Sequence, residues 1–366
     1  MKSVNDFALG LVSVFIPIYL LDLGYSLQSV FGWFLVLFTS FTITIFITVY
    51  STNRIGFVNT FYIRFLFLIS HLGLLLILPE YPQVFFLIAV FTGLVWAFFC
   101  IPLNILFVVY TIREKTGTAL SKISAYPEIL GMFSPLVGAF IILQFGFPVL
   151  FIIAMLLALL SITRLFPLKS ERSDFRFTLN HTREIYTKYK SFFKTEIIAR
   201  FAEDTGMIWS IFVYIQLASK FEAGMIATIA KVVGILFVLT LGKLTDEWNK
   251  HKLLKIGATA VTLAWVLSFV IGSTTLNPWF FYLATLAMGL SLKAFLIPYR
   301  TILWNSGRKD DAQFIVLREI PSCIGKIILL LSAIILYDRL NVLFLLIGIA
   351  FVYFIVLDSR KIEVAD

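Results

Sequence analysis

Long apolar runs recur along the whole chain, and short polar stretches separate them. Runs of about 18–25 apolar residues cross the roughly 30 Å hydrocarbon layer of a bilayer as α-helices. The runs lack the alternation of polar and apolar positions that marks a transmembrane β-strand. We therefore predict an all-α polytopic membrane protein with twelve spans, at residues 6–23, 28–50, 59–79, 83–110, 122–144, 147–166, 197–219, 222–243, 253–272, 278–303, 314–337 and 340–358.

The second half of the chain repeats the first at an offset of about 196 residues. Residues 82–102 and 278–298 align without a gap, and eight of the twenty-one positions are identical, among them Gly93 with Gly289 and Pro102 with Pro298. An apolar composition of this kind would give roughly two identities by chance. A duplicated apolar chain is typical of transporters, in which the substrate path runs between the two repeats.

The charged residues are few and clustered. The chain is 60% hydrophobic and 14% charged, with a mean hydropathy of +0.96. Lys and Arg collect in the loops after spans four, six, eight and ten, and this bias places those loops and both termini in the cytoplasm. The net charge of +9 is thereby explained as a topology signal, and nucleic acid is not expected as a partner.

One long hydrophilic stretch divides the chain. We predict an N-terminal six-helix bundle at 1–166, a basic cytoplasmic linker at 167–195 and a C-terminal six-helix bundle at 196–366, the two bundles being pseudo-symmetric. The linker mixes Lys and Arg with aromatic side chains. It fits either a short helix on the anionic lipids of the inner leaflet or a solvated connection.

A loop motif lies between spans eight and nine, at Gly242, Leu244, Asp246, Lys250 and Lys252. The motif resembles the G-x-L-x-D-r-x-G-r-k motif of the major facilitator superfamily. Twelve spans in two repeated halves also resemble that family. Asn249 stands where the family has its second glycine. In the first half the copy is reduced to residues 53–56, Asn-Arg-Ile-Gly, without an acid. An Asp at a helix end can pair with cations of the next turn, so Asp246 is expected to influence the conformational balance.

The resemblance implies a secondary active transporter of the cytoplasmic membrane that moves a small solute by alternating access. Span five adds Pro135 and Gly138, which fit part of a pattern associated with proton-coupled exporters in that family. Packing of small residues between helices explains the same two positions. A drug or metabolite exporter is therefore kept as an alternative.

Charged side chains inside spans are costly in a bilayer and mark candidate sites. The candidates for binding a substrate or an ion are Lys231, Lys293, Lys326, Glu203, Asp204 and Glu128. Snorkelling to the interface or a structural ion pair is the alternative for each, most of all for Glu128. The resemblance implies that spans seven, eight, ten and eleven face a central cavity, so the three lysines are expected to suit an anionic solute. Glu203 or Asp204 could instead be the protonation site of a proton-coupled carrier.

Other chemistry finds no support in the sequence. The three histidines and two cysteines lack metal-ligand spacing, and no phosphate-binding loop is present, so we expect no cofactor and no metal. A polytopic membrane enzyme, a channel and a scaffold that does not transport are the rival classes. The partners expected are a solute, protons, membrane lipids and no second subunit.

Overall fold

The computed structural model describes residues 2–110, 129, 131–172, 179–203, 206–274, 277–307 and 311–357. Within these ranges the regular structure is helical throughout. The first half contains α1 (Lys2–Val12), α2 (Phe15–Asp22), α3 (Leu27–Ile55), α4 (Phe57–Ile77), α5 (Phe85–Tyr110) and α6 (Ser134–Ile162). The second half contains α8 (Lys190–Glu203), α9 (Gly206–Leu217), α10 (Lys220–Glu247), α11 (Lys250–Thr274), α12 (Pro278–Gly307), α13 (Asp311–Ile335) and α14 (Leu340–Val356), and α7 (Leu179–Lys188) precedes it in the linker.

The helices follow the predicted spans. Seven described segments are long and apolar enough to cross a membrane, and α14 is a shorter apolar helix. The segment α6 covers two predicted spans, and Gly146, with φ 81° and ψ 174°, breaks the helix between them. The helices α10 and α13 are 28 and 25 residues long but carry charged residues along their length. Residues 122–128 and 130 of predicted span five lie outside the described residues.

The repeat seen in the sequence is also a repeat of packing. Gly93 brings α5 against α3, where a Cβ on it would lie 2.6 Å from the Leu37 carbonyl oxygen. Gly289 faces α10 in the same way, with the Ala230 carbonyl oxygen 3.5 Å from such a Cβ. Pro102 and Pro298 both lie inside their helices. The twelve-span fold therefore consists of two related six-helix bundles.

Helices of the two halves contact each other on both sides of the central region. The helices α3 and α5 pack on α13, and Phe41, Ile45 and Val316 belong to one buried apolar cluster there. The helix α6 packs on α10, where Leu136 donates its backbone N–H to Thr228 Oγ1 at 3.1 Å. We call the end of the molecule that carries the linker the basic end and the other one the opposite end.

The linker contains a helix that lies on the protein. The side chain of Ile185 in α7 is buried, as is Tyr189, which follows α7 directly. The rings of Tyr189 and Phe193 pack on Phe314 of α13, with centroid distances of 4.4 and 5.9 Å. Residues 179–188 are therefore helical and pack on the second half, whereas a contact of this helix with lipid stays a prediction.

Candidate functional site

Two neighbouring cavities occupy the centre of the molecule. The first, which we call the N-half cavity, measures about 380 Å³ and lies among α1, α3, α4 and α5. Its polar and charged lining includes Asp6, Arg64, His71, Thr92 and Lys231, and the rest is mostly aliphatic and aromatic. The second, which we call the interhalf cavity, measures about 330 Å³ and lies between the two halves. Both are lined by Ser13, Phe34, Leu37 and Trp96, so they adjoin.

Lys231 and Lys326 take the positions that the sequence predicted for them, at the central cavities. Lys231 lines the N-half cavity and donates from Nζ to the Gly131 carbonyl oxygen at 3.3 Å and to Ser134 Oγ at 3.1 Å. Lys326 lines the interhalf cavity. Its ammonium lies 4.7 Å from the Phe38 ring centroid and 5.8 Å from that of Trp96, a cation–π arrangement. Both lysines thus reach from the second half to residues of the first.

Of the other four candidates, only Lys293 has a side chain that the structure describes. Lys293 lies half-buried in α12, with its stem against Gly234 of α10, and lines neither of the two cavities. Glu203 ends α8, and its side chain lies outside the described residues, as do Asp204 and Glu128 in full. Their roles stay predictions.

Arg64 is a functional candidate that the sequence reasoning missed. It lies two turns into α4, is fully buried and lines the N-half cavity. One guanidinium nitrogen, Nη2, donates to Asn5 Oδ1 at 2.9 Å, and the group lies 4.2 Å from the Phe99 ring centroid. The signal was present in the sequence as a charge within predicted span three. The rule that flagged Lys231 would have flagged Arg64 as well.

His71 lies about two turns after Arg64 in α4, and its side chain is buried. Its Nδ1 is 2.9 Å from Thr92 Oγ1 of α5. The hydroxyl of Thr92 also donates to the Ile88 carbonyl oxygen at 2.7 Å. This contact fixes the ring between two helices at the cavity wall.

A buried charge cluster lies toward the basic end, and we call it the Glu196 cluster. Glu196 accepts from Arg200 Nε at 2.9 Å and from the Tyr299 hydroxyl at 2.5 Å. Arg318 Nη1 lies 3.8 Å from the same carboxylate and pairs through Nη2 with Glu319. The members of the cluster are Glu196, Arg200, Tyr299, Arg318 and Glu319. None of these five residues is among the candidates predicted from the sequence.

Each end of the molecule has a polar link between the halves. Toward the basic end, Asn104 of α5 donates to Glu319 Oε1 at 3.2 Å. At the opposite end, Lys220 Nζ lies 2.5 Å from Asp22 Oδ2, and the Tyr214 hydroxyl donates to Asp22 Oδ1 at 2.5 Å. The central cavities are therefore bounded by interhalf contacts at both ends.

The predicted loop motif covers the last turns of α10 and the first turn of α11. Leu244 accepts the backbone N–H of Trp248 at 2.8 Å, which ends α10. Asn249 replaces the family's glycine and caps α11, because its Oδ1 accepts from the backbone N–H groups of His251 and Lys252 at 3.0 and 3.2 Å. The side chain of Asp246 lies outside the described residues, so its influence on the conformational balance stays a prediction.

The two span-five positions serve helix packing. Gly138 lets α6 approach α1, where a Cβ on it would lie 2.5 Å from the Leu11 carbonyl oxygen. Pro135 begins the helix, and its carbonyl oxygen faces Gly224 of α10. These contacts bring spans one, five and eight together.

Comparisons with known proteins agree with this architecture. Residues 2–305 match the family model described as Major Facilitator Superfamily. A multidrug resistance protein MdtG from Citrobacter koseri is 28% identical over 317 residues, which are 81% of this chain and 76% of that protein. The MdtG of Enterobacter lignolyticus is also 28% identical over 317 residues, 81% of this chain and 74% of that protein.

The fold is that of solved transporters. A crystal structure of the Major Facilitator Superfamily transporter FucP, in the outward conformation, matches with a TM-score of 0.72 at 12% identity, covering 99% of this chain and 96% of that one. A variant of the E. coli fucose:proton symporter FucP matches with the same TM-score at 11% identity, with the same coverage of both chains. The family model, the fold and the cavities between two duplicated bundles lead to one conclusion: the chain belongs to the Major Facilitator Superfamily and is one of its membrane transporters.

Proposed function

We propose that this transporter moves a small organic anion across the cytoplasmic membrane and leaves it chemically unchanged. The observation that carries the proposal is the charge of the two central cavities. Among the described residues, their ionisable lining contains the cations Arg64, Lys231 and Lys326 and one carboxylate, Asp6, which gives a balance of +2 with His71 neutral. A cationic lining in low dielectric favours an anion, because its charge is only weakly screened there.

Alternating access supplies the mechanism. The link of Asn104 to Glu319 and the link of Asp22 to Lys220 are at different ends of the molecule. If one link opens while the other holds, the solute reaches one side of the membrane at a time. Rocking of the two halves about the cavities then exchanges the two states.

The topology and the coupling belong to the same proposal. Both termini and the linker at 167–195 are cytoplasmic, as the Lys and Arg bias predicts. Glu203, Asp204 or the cavity residue Asp6 carries the coupling proton, since each is an acid in a membrane-spanning segment. The protein works as a monomer in contact with membrane lipids.

Export of amphiphilic compounds is the second candidate function. The cavities have large aromatic walls, formed by Trp33, Phe34, Phe38, Trp96 and Phe99. Such walls suit flat apolar molecules. The MdtG relatives carry the name multidrug resistance protein, which agrees with this candidate.

Uptake into proteoliposomes tests the main proposal. A panel of radiolabelled monocarboxylates, their neutral amides and lipophilic cations is offered with and without a pH gradient, and the recovered compound is identified by mass. We expect the Lys231→Met and Lys326→Met variants each to lower anion uptake about 10-fold or more, since a charge-assisted contact is lost. Lys255→Met makes the same change at an exposed position of α11 and serves as the matched control. Uptake of the cations alone, or normal anion uptake by both cavity variants, would contradict the anion proposal.

A further inference from the structure

The N-half cavity contains an arginine whose hydrogen-bonding capacity is only partly used. Nη2 of Arg64 has Asn5 as its partner, whereas Nε and Nη1 are buried without a hydrogen-bond partner among the described residues. The residue is fully buried and lines the cavity. Leaving N–H groups of a charged side chain unpaired in the interior is unfavourable, so a bound acceptor would stabilise the protein.

A second hydrogen-bond donor of the same cavity also lacks a partner among the described residues. The indole Nε1 of Trp33 is buried without a partner among the described residues, and Trp33 lines the N-half cavity. Indole nitrogen can only donate. Two side chains on different helices, α3 and α4, therefore present unsatisfied donors to the same cavity.

We propose that the N-half cavity is a subsite for the carboxylate of an aromatic or alicyclic monoacid, held by Arg64 and Trp33. This assignment rests on the proposed transport function, and it places the anionic group in the cavity that Lys231 also lines. A carboxylate has two acceptor oxygens, which match the planar donor fork of an arginine.

The remainder of the cavity is suited to an apolar body. The Phe99 ring packs on the guanidinium of Arg64, whose Cζ lies 4.2 Å from the ring centroid. Phe34 and Trp96 line both cavities, so a ring held by its carboxylate in the N-half cavity extends along them toward the interhalf cavity. A cavity of about 380 Å³ is large enough for a bicyclic acid.

The charged neighbours of the cavity agree with one bound anion. Lys231 adds a second positive charge and Asp6 a negative one, so the described lining of the N-half cavity has a formal charge of +1 with His71 neutral. Asp6 accepts from Asn5 Nδ2 at 3.2 Å, and Lys231 is hydrogen-bonded to Ser134. A single carboxylate balances this charge, whereas a dianion would exceed it.

Binding of 2-naphthoate and its neutral isostere 2-naphthamide to the purified protein tests the subsite. Equilibrium dialysis in lipid nanodiscs gives both dissociation constants, with empty nanodiscs correcting for partition into lipid. We expect the protein to bind the acid about 10-fold more tightly than the amide or better, and Arg64→Gln to abolish that preference. Arg54→Gln makes the same change at an exposed residue near the basic end of α3 and should keep the preference.

Two further measurements keep the test decisive if Arg64→Gln does not fold. Trp33→Phe keeps an aromatic ring and removes the N–H, and we expect it to weaken 2-naphthoate binding about 5–10-fold. Cys100 also lines the N-half cavity, so bound 2-naphthoate should slow its labelling by N-ethylmaleimide, read by mass spectrometry of the labelled peptide. Equal affinity for acid and amide, or Cys100 labelling that saturating 2-naphthoate leaves unchanged, would overturn the subsite.

These outcomes separate the subsite from the proposed function. Binding is measured without any transport, so a protein that binds 2-naphthoate through Arg64 but moves no anion would retain the subsite and lose the function. Anion uptake that survives Arg64→Gln unchanged would retain the function and overturn the subsite.

Discussion

At the scale of single residues, the partners of a charged side chain separate the structural charges from those that line a cavity. Arg318 and Glu196 are fully enclosed by each other and by their neighbours. Arg64 and Lys231 instead line the N-half cavity. A charge in a bilayer is costly unless it has a favourable interaction. Glu196 and Arg318 have one in their ion pairs, and we propose that Arg64 and Lys231 have one in a bound anion.

The Glu196 cluster should depend on its central carboxylate. Replacing Glu196 with Gln leaves Arg200 and Arg318 without their shared anion, and losing one partner of a buried ion pair costs about 3–5 kcal/mol. We expect a marked fall in the thermal unfolding temperature of the purified protein. Glu184→Gln is the matched control, because Glu184 pairs with His181 at 3.3 Å on the surface, and unfolding should not change. Equal unfolding temperatures for the two variants would show that the cluster contributes little.

At the scale of helices, small residues set how closely the spans approach each other. In a membrane the association of helices depends on packing, because the lipid is as apolar as the side chains. Gly257 of α11 packs closely against backbone, with a built Cβ 2.5 Å from the Phe295 amide nitrogen of α12. Gly73 of α4 is at the other extreme, with nothing within 4 Å of such a Cβ.

These two glycines give a matched pair of substitutions. Gly257→Ala must push α11 and α12 apart, which typically costs about 1–3 kcal/mol. Gly73→Ala adds a methyl group to open space and gains about 0.5–1 kcal/mol of helix propensity. We expect the first to lower and the second to hold or raise the unfolding temperature in the same detergent. A fall of the same size for both would mean that glycine acts here through something other than close packing.

At the scale of the whole molecule, the two ends are closed by different chemistry. Toward the basic end the halves meet through an apolar cluster that includes Ile45 and Cys323, with Asn104 and Glu319 at its edge. At the opposite end, Asp22 holds Lys220 and Tyr214 at partly exposed positions. The opposite end therefore depends more on charge and should be the easier one to bias.

Replacing Asp22 with Asn should favour opening of the opposite end. A partly exposed ion pair contributes about 1 kcal/mol, which corresponds to a roughly 5-fold change in the balance of the two states. A Ser210→Cys reporter lies in the interhalf cavity, and a membrane-impermeant maleimide applied at the opposite end should label it faster in the Asp22→Asn variant. Asp338→Asn removes an exposed ion pair with Arg339 at the same end but within one half, and labelling should not change. Equal labelling rates in all three backgrounds would show that the link does not control opening.

The sequence by itself determined the class of the molecule. Apolar length and the clustering of Lys and Arg are set by the bilayer, which acts on each span separately, so twelve spans and a duplicated organisation could be read from one chain. The loop between spans eight and nine could be read because it is a local motif. The boundary between spans five and six could be placed at Gly146 for the same reason, as a local break in the helix.

Only the tertiary structure decided which charges share a cavity and which share a partner. Glu196 and Arg318 are more than 100 residues apart in the chain, and Arg64 meets Asn5 across 59 residues. Helical periodicity fixes the face of one helix, but the facing helix is chosen by packing among all twelve spans. For that reason Lys231 and Lys326 could be named from the sequence, whereas the unsatisfied donors of Arg64 and Trp33 became visible only when their surroundings were in place.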